Sequence, residues 1–241
     1  MKRFDIITIF PHSLDSYFDT SILKRAQEKK LIQIQTHDLR QWTKDKHQTV
    51  DDKPYGGGAG MVMKAEPIVR ALHELKFKNK KSKIKMRMIL LAANGKQFTQ
   101  TVAKRLAKYE RLVFICGRYE GVDARVEKFV DEKICIGPYV VTGGELPTAI
   151  IIDAVSRMVP GVVGKEESIL NESFSKQKIP DSRFPIPDSY LEHPHYTRPE
   201  VLIWKGKKYT VPKVLLEGNH KKISEWKKDK SKYKSIKIKI D

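Results

Sequence analysis

Cysteine is scarce in this sequence, and long apolar runs are missing. Only Cys116 and Cys135 occur among 241 residues, and their spacing fits neither a CxxC zinc motif nor a disulfide framework. Both lie in apolar surroundings, so we expect two buried thiols and no metal centre. Apolar runs such as 149–152 fall far short of the roughly 18 residues that a membrane span needs, and the N-terminal stretch is too short for a signal peptide. We therefore expect a cytoplasmic protein with no membrane partner.

Acidic residues are also few relative to basic ones. The chain has 47 Lys and Arg against 29 Asp and Glu, a net charge of +18 at pH 7. Residues 76–87 carry seven basic side chains and no acid, and residues 221–241 carry nine lysines against three acids. Such clusters bind phosphates with release of counterions, which indicates a polyanionic partner such as RNA. Because the excess is lysine rather than arginine, solvated lysine-rich faces remain an open alternative.

Strand-like and helix-like stretches alternate over the first two thirds of the chain. This order is typical of an α/β fold with a mainly parallel sheet. The last of these helices has Pro147 in its first turn and ends before Pro160. The predicted strands are 4–10, 31–38, 87–93, 111–116 and 133–136, and the predicted helices are 21–30, 99–110, 123–130 and 145–159.

The composition changes at about residue 164. Residues 164–194 are rich in Ser, Pro, Asp and Lys without periodicity, which indicates a linker. We therefore expect one domain over 1–163 and a small C-terminal segment over 195–241, with one helix around 221–228. No internal repeat is visible.

Four glycines in five positions mark the segment PYGGGAGM, residues 54–61. Glycine loses more backbone freedom on folding than any other residue, so this run indicates a place that requires a bare backbone. The segment lacks the Lys-Ser/Thr of a P-loop, and no G-x-G-x-x-G follows a strand, which disfavours nucleoside triphosphates and dinucleotides as ligands. A flexible hinge is the competing interpretation.

Three further glycine-bearing loops follow predicted strands: AANG (92–95), CGRYEG (116–121) and IGPYVVTGGELP (136–147). Each could be a simple tight turn. Taken together at the strand ends, where open α/β sheets bind ligands, they predict one pocket. Besides backbone groups, the loops supply an aromatic ring and a carboxylate, a mixture suited to a purine-bearing ligand with a cationic part. The candidates for these side chains are Tyr119, Tyr139, Glu120 and Glu145.

Six motifs in this order give the chain a specific resemblance. From Phe4 to about His220 it resembles the bacterial tRNA (guanine-N1)-methyltransferases of the SPOUT superfamily. The resemblance implies a deep trefoil knot on the C-terminal side of the sheet, which the general rules of chain connection would not have predicted. It also implies a homodimer that transfers the methyl group of S-adenosylmethionine to N1 of guanosine 37 of tRNA, next to the anticodon. The motifs are TVDDKPYGGGAGM, CGRYEG, IGPYVVTGGELP, IDAVSRMVPGV, ESF and HPHYTRP.

The resemblance also implies where each ligand binds. The glycine-rich segment would bring its backbone against the cofactor or the incoming guanosine, where a side chain would collide with a flat ligand. A divalent cation such as Mg²⁺ is an additional cofactor that the resemblance leaves open. The implied cofactor-binding residues are Leu91, Ala92, Ala93, Gly117, Tyr119, Glu120, Cys135, Ile136, Gly137, Tyr139, Val141, Gly143 and Gly144, and the implied substrate-binding residues are Asp52, Tyr55, Gly56, Gly57, Gly58, Gly60 and Met61.

Two further residues are implied as catalytic. N1 of neutral guanine bears a proton, so its methylation needs a base at N1 and a donor that holds the charge developing on O6. Arg157 matches the family's cation, and Glu172 stands where the family usually has aspartate. The alternatives are an i,i+4 ion pair of Arg157 with Asp153, and Asp153 or Asp181 as the base.

The chain departs from the family pattern in three ways. Residue 172 is Glu where the family usually has Asp, and AANG lacks the proline that the family often has before its glycine. The linker before HPHYTRP is longer than usual in the family, whereas the C-terminal domain after GNH is shortened to residues 221–241. We expect the lysine-rich tail to replace part of the tRNA grip. Two other functional classes are compatible with parts of the sequence. A non-catalytic RNA-binding protein would keep the basic clusters but needs no cofactor loops. A SPOUT enzyme acting on ribosomal RNA or ribose hydroxyls would keep the knot, but PYGGGAGM together with HPHYTRP disfavours it.

Overall fold

The computed structural model describes residues 1–77, 84–164, 172–174 and 190–233. The chain divides into two compact units, Met1–Glu166 and Glu167–Asp241. Most of the predicted linker, 164–194, lies outside the described residues, as do much of the 76–87 basic cluster and the end of the lysine-rich tail. No helix in the described part is long and apolar enough to cross a membrane.

A five-stranded sheet forms the centre of the first unit. Its strand order is β2-β1-β6-β5-β7, and every neighbouring pair is parallel. The mainly parallel α/β fold predicted from the sequence is thereby confirmed. The strands are β1 (Lys2–Thr8), β2 (Ile32–Asp38), β5 (Met86–Gln97), β6 (Arg111–Cys116) and β7 (Glu132–Cys135), and a separate two-stranded pair comprises β3 (Asp51–Asp52) and β4 (Val62–Met63).

Helices cover both faces of this sheet. Successive residues of β6 point to opposite sides, so Phe114 lies in one apolar cluster and Ile115 in the other. Burial on both faces explains why β6 is apolar without interruption from Leu112 to Cys116. The helices are α1 (Asp15–Phe18), α2 (Ser21–Glu28), α3 (Ala65–Phe77), α4 (Gln100–Leu106) and α5 (Glu145–Ser156), with 3₁₀ turns at Leu39–Trp42 and Ala124–Phe129.

Several details differ from the sequence prediction. The helix predicted over 123–130 is a 3₁₀ helix, Ala124–Phe129, and the helix predicted over 99–110 ends at Leu106. The AANG segment is not a turn after its strand: β5 continues through it to Gln97, with a register shift between Leu91 and Lys96 in its pairing with β7. Helix α3 was not predicted. Cys116 is buried as expected, but Cys135 is only half-buried because it lies at the end of β7, where the strand opens into a cavity.

The second unit contains a small amount of regular structure. Short strands β8 (Tyr190–Leu191) and β11 (Lys232–Tyr233) pair, and β9 (Val201–Trp204) and β10 (Lys207–Thr210) form an antiparallel hairpin. Helix α6 (His220–Lys230) follows a 3₁₀ turn at Lys213–Leu215. The side chain of Asn219 caps α6 by accepting a hydrogen bond from the backbone N–H of Lys222 at 3.1 Å.

Candidate active site

A cavity of about 400 Å³ opens where β5, β6 and β7 end. The carboxyl ends of parallel strands meet at one edge of a sheet, so the loops after these strands converge there. All thirteen residues that the sequence analysis assigned to the cofactor lie in the cavity wall. Its other lining residues are Leu90, Asn94, Arg118, Gly121, Val122, Glu127, Ile134, Val140, Thr142 and Pro147.

The loop over 136–144 closes one side of the cavity and is fixed to the end of β6. The backbone N–H of Gly144 donates a 2.9 Å hydrogen bond to the carbonyl of Gly117. A Cβ at Gly144 would lie 2.6 Å from Cα of Cys116, closer than real Cβ atoms approach. Glycine at this position therefore permits the close packing of two backbones that shapes the cavity.

Arg118 ties the same loop to the rest of the site. Its Nε donates to Oε2 of Glu145 at 2.9 Å, and one terminal nitrogen donates to the carbonyl of Thr142 at 3.2 Å. The guanidinium carbon also lies 4.8 Å from the centre of the Phe10 ring. A Cβ on Gly143 would approach Cδ of Arg118 to 2.6 Å, so a bare backbone at 143 makes room for this arginine.

Glu145 has a different place from the one expected. The sequence suggested it as a pocket carboxylate, but its side chain is only 3% exposed and is not part of the described cavity wall. The hydroxyl of Thr8 donates to Oε1 at 2.6 Å, and Arg118 donates to Oε2. With a partner on each oxygen and a position at the N-terminus of α5, this carboxylate holds the structure together.

Comparison with known proteins decides the family. The family model described as tRNA (Guanine-1)-methyltransferase TrmD matches residues 1–241. Among curated relatives named tRNA (guanine-N(1)-)-methyltransferase, the protein of Dictyoglomus turgidum is 46% identical over 98% of this chain and 87% of the relative. Those of Geotalea uraniireducens and Chloroflexus aurantiacus are 46% and 47% identical, over 95% and 94% of this chain and 85% and 82% of the relatives.

The chain belongs to the tRNA (guanine-1)-methyltransferase family. The resemblance drawn from the six motifs is thereby confirmed, and with it the membership of the SPOUT superfamily. Arg118 and Asn94 also line the cavity, although the sequence analysis did not predict them as site residues. Arg118 belongs to the motif CGRYEG and Asn94 to the segment AANG, so their positions in these segments could have indicated them.

The second half of the glycine-rich segment 54–61 contacts Glu120 of the cavity wall, but none of the segment's residues is among the described residues that line the cavity. The backbone N–H of Glu120 donates to the carbonyl of Met61 at 3.0 Å, and a Cβ at Gly60 would lie 2.7 Å from Cγ of Glu120. The tip points into open space, where Tyr55 is fully exposed. Asp52, one of the predicted substrate residues, lies before this segment in β3, with Oδ2 3.7 Å from Nζ of Lys64.

Backbone conformation accounts for the glycines of this segment. A Cβ at Gly56, Gly57 or Gly58 would contact nothing within 4 Å in the protein, so the predicted close approach of a flat ligand to this backbone stays a prediction. These three glycines and Gly60 all have positive φ, between 78° and 120°. Such values strain any other residue, so the sequence fixes an unusual backbone path beside the cavity.

The proposed catalytic residues occupy separate units. Arg157 directly follows α5, and its backbone N–H donates to the carbonyl of Asp153 at 3.1 Å; it is not among the described residues lining the cavity. Glu172 is half-buried in the second unit. Asp181 lies outside the described residues.

The carboxylate of Asp153 already has a partner. It accepts a hydrogen bond from the hydroxyl of Tyr17, and this bond, with burial, raises the pKa of Tyr17 to about 12. Within the described ranges, no cluster of three or more His, Cys, Asp or Glu could hold a metal ion.

Cys116 is a buried thiol at the end of β6, directly before Gly117 of the cavity wall. Burial raises its pKa far above the ordinary value, and the nearby Glu145 carboxylate adds to the shift. Its sulfur lies 3.3 Å from the hydroxyl of Thr148. A thiol kept protonated in this way is a poor nucleophile, so the site's chemistry does not depend on it.

Proposed function

We propose that this chain binds S-adenosylmethionine in the cavity and transfers its methyl group to N1 of guanosine 37 of tRNA. The reaction class, guanine-N1 methylation of tRNA, follows from membership of the family. The observation that carries the proposal is that all thirteen implied cofactor residues, drawn from three separate segments of the chain, line one cavity. A tRNA substrate also accounts for the net charge of +18 and favours a cytoplasmic location.

The cavity fits the cofactor in size and chemistry. Its volume of about 400 Å³ lies in the usual range of small-molecule sites. Backbone donors and acceptors of the three loops surround apolar side chains such as Leu91 and Ile136, while the rings of Tyr119 and Tyr139 suit a purine. Glu120 supplies a negative charge for the cationic part. When bound, the cofactor supplies an electrophilic methyl group on a sulfonium.

Methylation of guanine at N1 requires removal of the N1 proton and stabilisation of the negative charge that develops on O6. We assign proton removal at N1 to the carboxylate of Glu172 and stabilisation of the charge on O6 to the guanidinium of Arg157. Glu172 is one methylene longer than the aspartate expected from the family pattern. A carboxylate displaced by about 1 Å can cost roughly a hundredfold in rate, so the backbone around 172 must lie farther from the guanine to compensate.

A homodimer that shares its sites is part of the proposal. Helix α5 has an exposed apolar edge, with Leu146 61% and Ile150 48% exposed. Two exposed aromatic residues extend this edge. Phe10 lies against Arg118, which bonds to Glu145 at the start of α5. Tyr17 donates a hydrogen bond to Asp153 of the same helix. A second copy would bury this surface. We place Arg157 of one subunit with Glu172 of the other.

We also propose the family's trefoil knot for this chain. After β7, at the sheet edge beyond β5, the chain returns to bond with the end of β6 through Gly144. Helix α5 then packs against β1 and β6. This return over β5 supports a knotted path.

Glu172→Gln tests the assigned chemistry. The amide keeps size and hydrogen bonding but removes basicity, so methyl transfer at saturating tRNA should fall about 100- to 10,000-fold. Affinity for S-adenosylmethionine, measured by calorimetry, should stay nearly unchanged. Raising the pH should restore part of the rate, because guanine then ionises without a base.

Asp153→Asn is the matched control, since it makes the same chemical change in the competing carboxylate. It should retain most of the turnover. If Glu172→Gln retains a substantial fraction of wild-type turnover while Asp153→Asn loses it, Asp153 is the base and the assignment is wrong. A product with the methyl on ribose rather than on N1 would reject the proposed reaction itself.

A further inference from the structure

The β9–β10 hairpin is exposed on both sides. All eight residues of its two strands are accessible, including Trp204 at 63% and Tyr209 at 51%. Lys205 and Gly206 form the connecting turn with positive φ values of 46° and 74°, the conformation of a tight two-residue hairpin turn. An isolated two-stranded hairpin is marginally stable in water, so a partner that covers it would add order.

The register decides which side chains share a face. Trp204 pairs with Lys207, and Leu202 pairs with Tyr209. Side chains two residues apart on a strand point to the same side, so these four occupy one face. Trp204 and Tyr209 are therefore diagonal neighbours on the ladder, with Cα atoms about 7–8 Å apart, and Lys207 lies beside them on the same face.

All charged side chains of the hairpin are positive. Residues 201–210 contain Lys205, Lys207 and Lys208 and no acidic residue. All three lysines are exposed, and none forms an ion pair with a residue in the described ranges. Lys207 lies on the face of the two rings, Lys208 on the opposite face and Lys205 in the turn. A lysine beside two accessible rings, with two more on the same hairpin, fits a ligand that offers phosphates and flat, unpaired bases.

We propose that this hairpin is a contact site for unpaired nucleotides of the RNA substrate. Trp204 and Tyr209 stack on bases while the lysines contact the adjoining phosphates. The proposal rests on the proposed function, which supplies tRNA as the ligand and an anticodon loop as its unpaired part. A second copy of the hairpin is a poorer occupant, because a symmetric contact of this patch with itself sets lysines against lysines.

The test replaces ring character while keeping apolar bulk. Trp204→Leu and Tyr209→Leu should each weaken binding of an anticodon stem-loop RNA containing G37 by about 5- to 100-fold, measured by fluorescence anisotropy. Trp204→Phe, which keeps a flat ring, should restore most of the affinity. Lys207→Gln with Lys208→Gln should lower the slope of log affinity against log salt by about one to two units.

Matched controls lie in the first unit. Phe129→Leu changes another exposed aromatic residue, and Lys24→Gln with Lys29→Gln removes two exposed lysines, one in α2 and one directly after it. These variants should leave RNA affinity unchanged, apart from a small uniform effect of charge. Calorimetry with S-adenosylmethionine and light scattering should give wild-type values for every hairpin variant, which verifies that the cavity and the assembly state are intact.

Each outcome decides the proposal. Unchanged RNA affinity in Trp204→Leu and Tyr209→Leu would overturn it. A fall in assembly mass in these variants would overturn it in favour of a second copy as the occupant, and equal losses with Phe and Leu at 204 would reject stacking. Anisotropy reports RNA binding without catalysis, so a wild-type protein that binds RNA but forms no 1-methylguanosine would refute the proposed function and leave the hairpin site standing.

Discussion

At the scale of single residues, the shape of the cavity depends on space that a glycine without a side chain leaves for a neighbouring residue. Gly143 gives its space to Arg118, whose side chain bonds both to Thr142 of the cavity loop and to buried Glu145. An added methyl group at 143 therefore acts first on the arginine and only through it on the cavity.

Gly143→Ala should weaken binding of S-adenosylmethionine at least tenfold, because Cβ displaces Arg118 and with it the loop. Combined with Arg118→Ala, which removes the obstacle, it should cost less than the product of the two single losses. Calorimetry on the four proteins of this cycle measures the coupling. Gly164→Ala is the control, since a Cβ there meets nothing within 4 Å. Strictly multiplicative losses would show that Gly143 and Arg118 act independently.

At the scale of elements, β1 and β6 are joined by a buried charge network. Asp5 on β1 is fully buried, and its Oδ2 accepts a hydrogen bond from Nε of Arg111 on β6 at 2.7 Å. Its Oδ1 lies 2.6 Å from Nε2 of His37 and also accepts a hydrogen bond from Arg3. Burial alone would raise the pKa of Asp5, but the hydrogen bonds from His37, Arg111 and Arg3 outweigh it and hold the pKa well below its usual range.

This shift predicts how stability depends on pH. A depressed carboxyl pKa stabilises the fold above the ordinary pKa of about 4, and the contribution is lost as the pH falls towards the folded-state value. Asp5→Asn should lower the free energy of unfolding near pH 7 by about 3–5 kcal/mol, because it leaves Arg111 buried without its carboxylate.

Urea unfolding between pH 7 and pH 3 provides the measurement. Wild type should lose stability on acidification more steeply than Asp5→Asn does, whereas exposed Asp19→Asn should follow wild type. If Asp5→Asn proves too unstable, adding Arg111→Gln should recover part of the loss. Parallel pH profiles for wild type and Asp5→Asn would contradict the network's role.

The elements also show what the sequence could and could not predict. The strands were predictable because apolar runs such as 111–116 are buried on both faces. Helix α3 was overlooked although Ile68, Ala71, Leu72 and Leu75 follow a helical period. The continuation of β5 through Gly95 could not be predicted from the local sequence, because it depends on pairing with β7, about 40 residues later in the chain. The role of Glu145 likewise depends on Thr8, 137 residues away.

At the scale of the whole molecule, the proposed homodimer predicts complementation between two variants. If Arg157 and Glu172 of opposite subunits share a site, a mixture of Arg157→Ala and Glu172→Gln should regain up to about a quarter of wild-type activity when subunits exchange randomly. Mixing Arg157→Ala with the double variant Arg157→Ala/Glu172→Gln provides no intact site and should stay inactive. Light scattering of the wild type should give the mass of a dimer. A monomer, or no recovery after verified subunit exchange, would reject the shared site.

The central claim is that this chain places a methyl group on N1 of guanosine 37, and one measurement tests it most directly. Purified wild-type protein, S-adenosylmethionine and a tRNA transcript with G37 are incubated, and the digested RNA is mapped by mass spectrometry beside a transcript with adenosine at 37. We predict one added methyl group, recovered as 1-methylguanosine in the fragment that contains position 37, and no methylation of the adenosine transcript. Methylation at another position, on ribose, or equally on both transcripts would contradict the account.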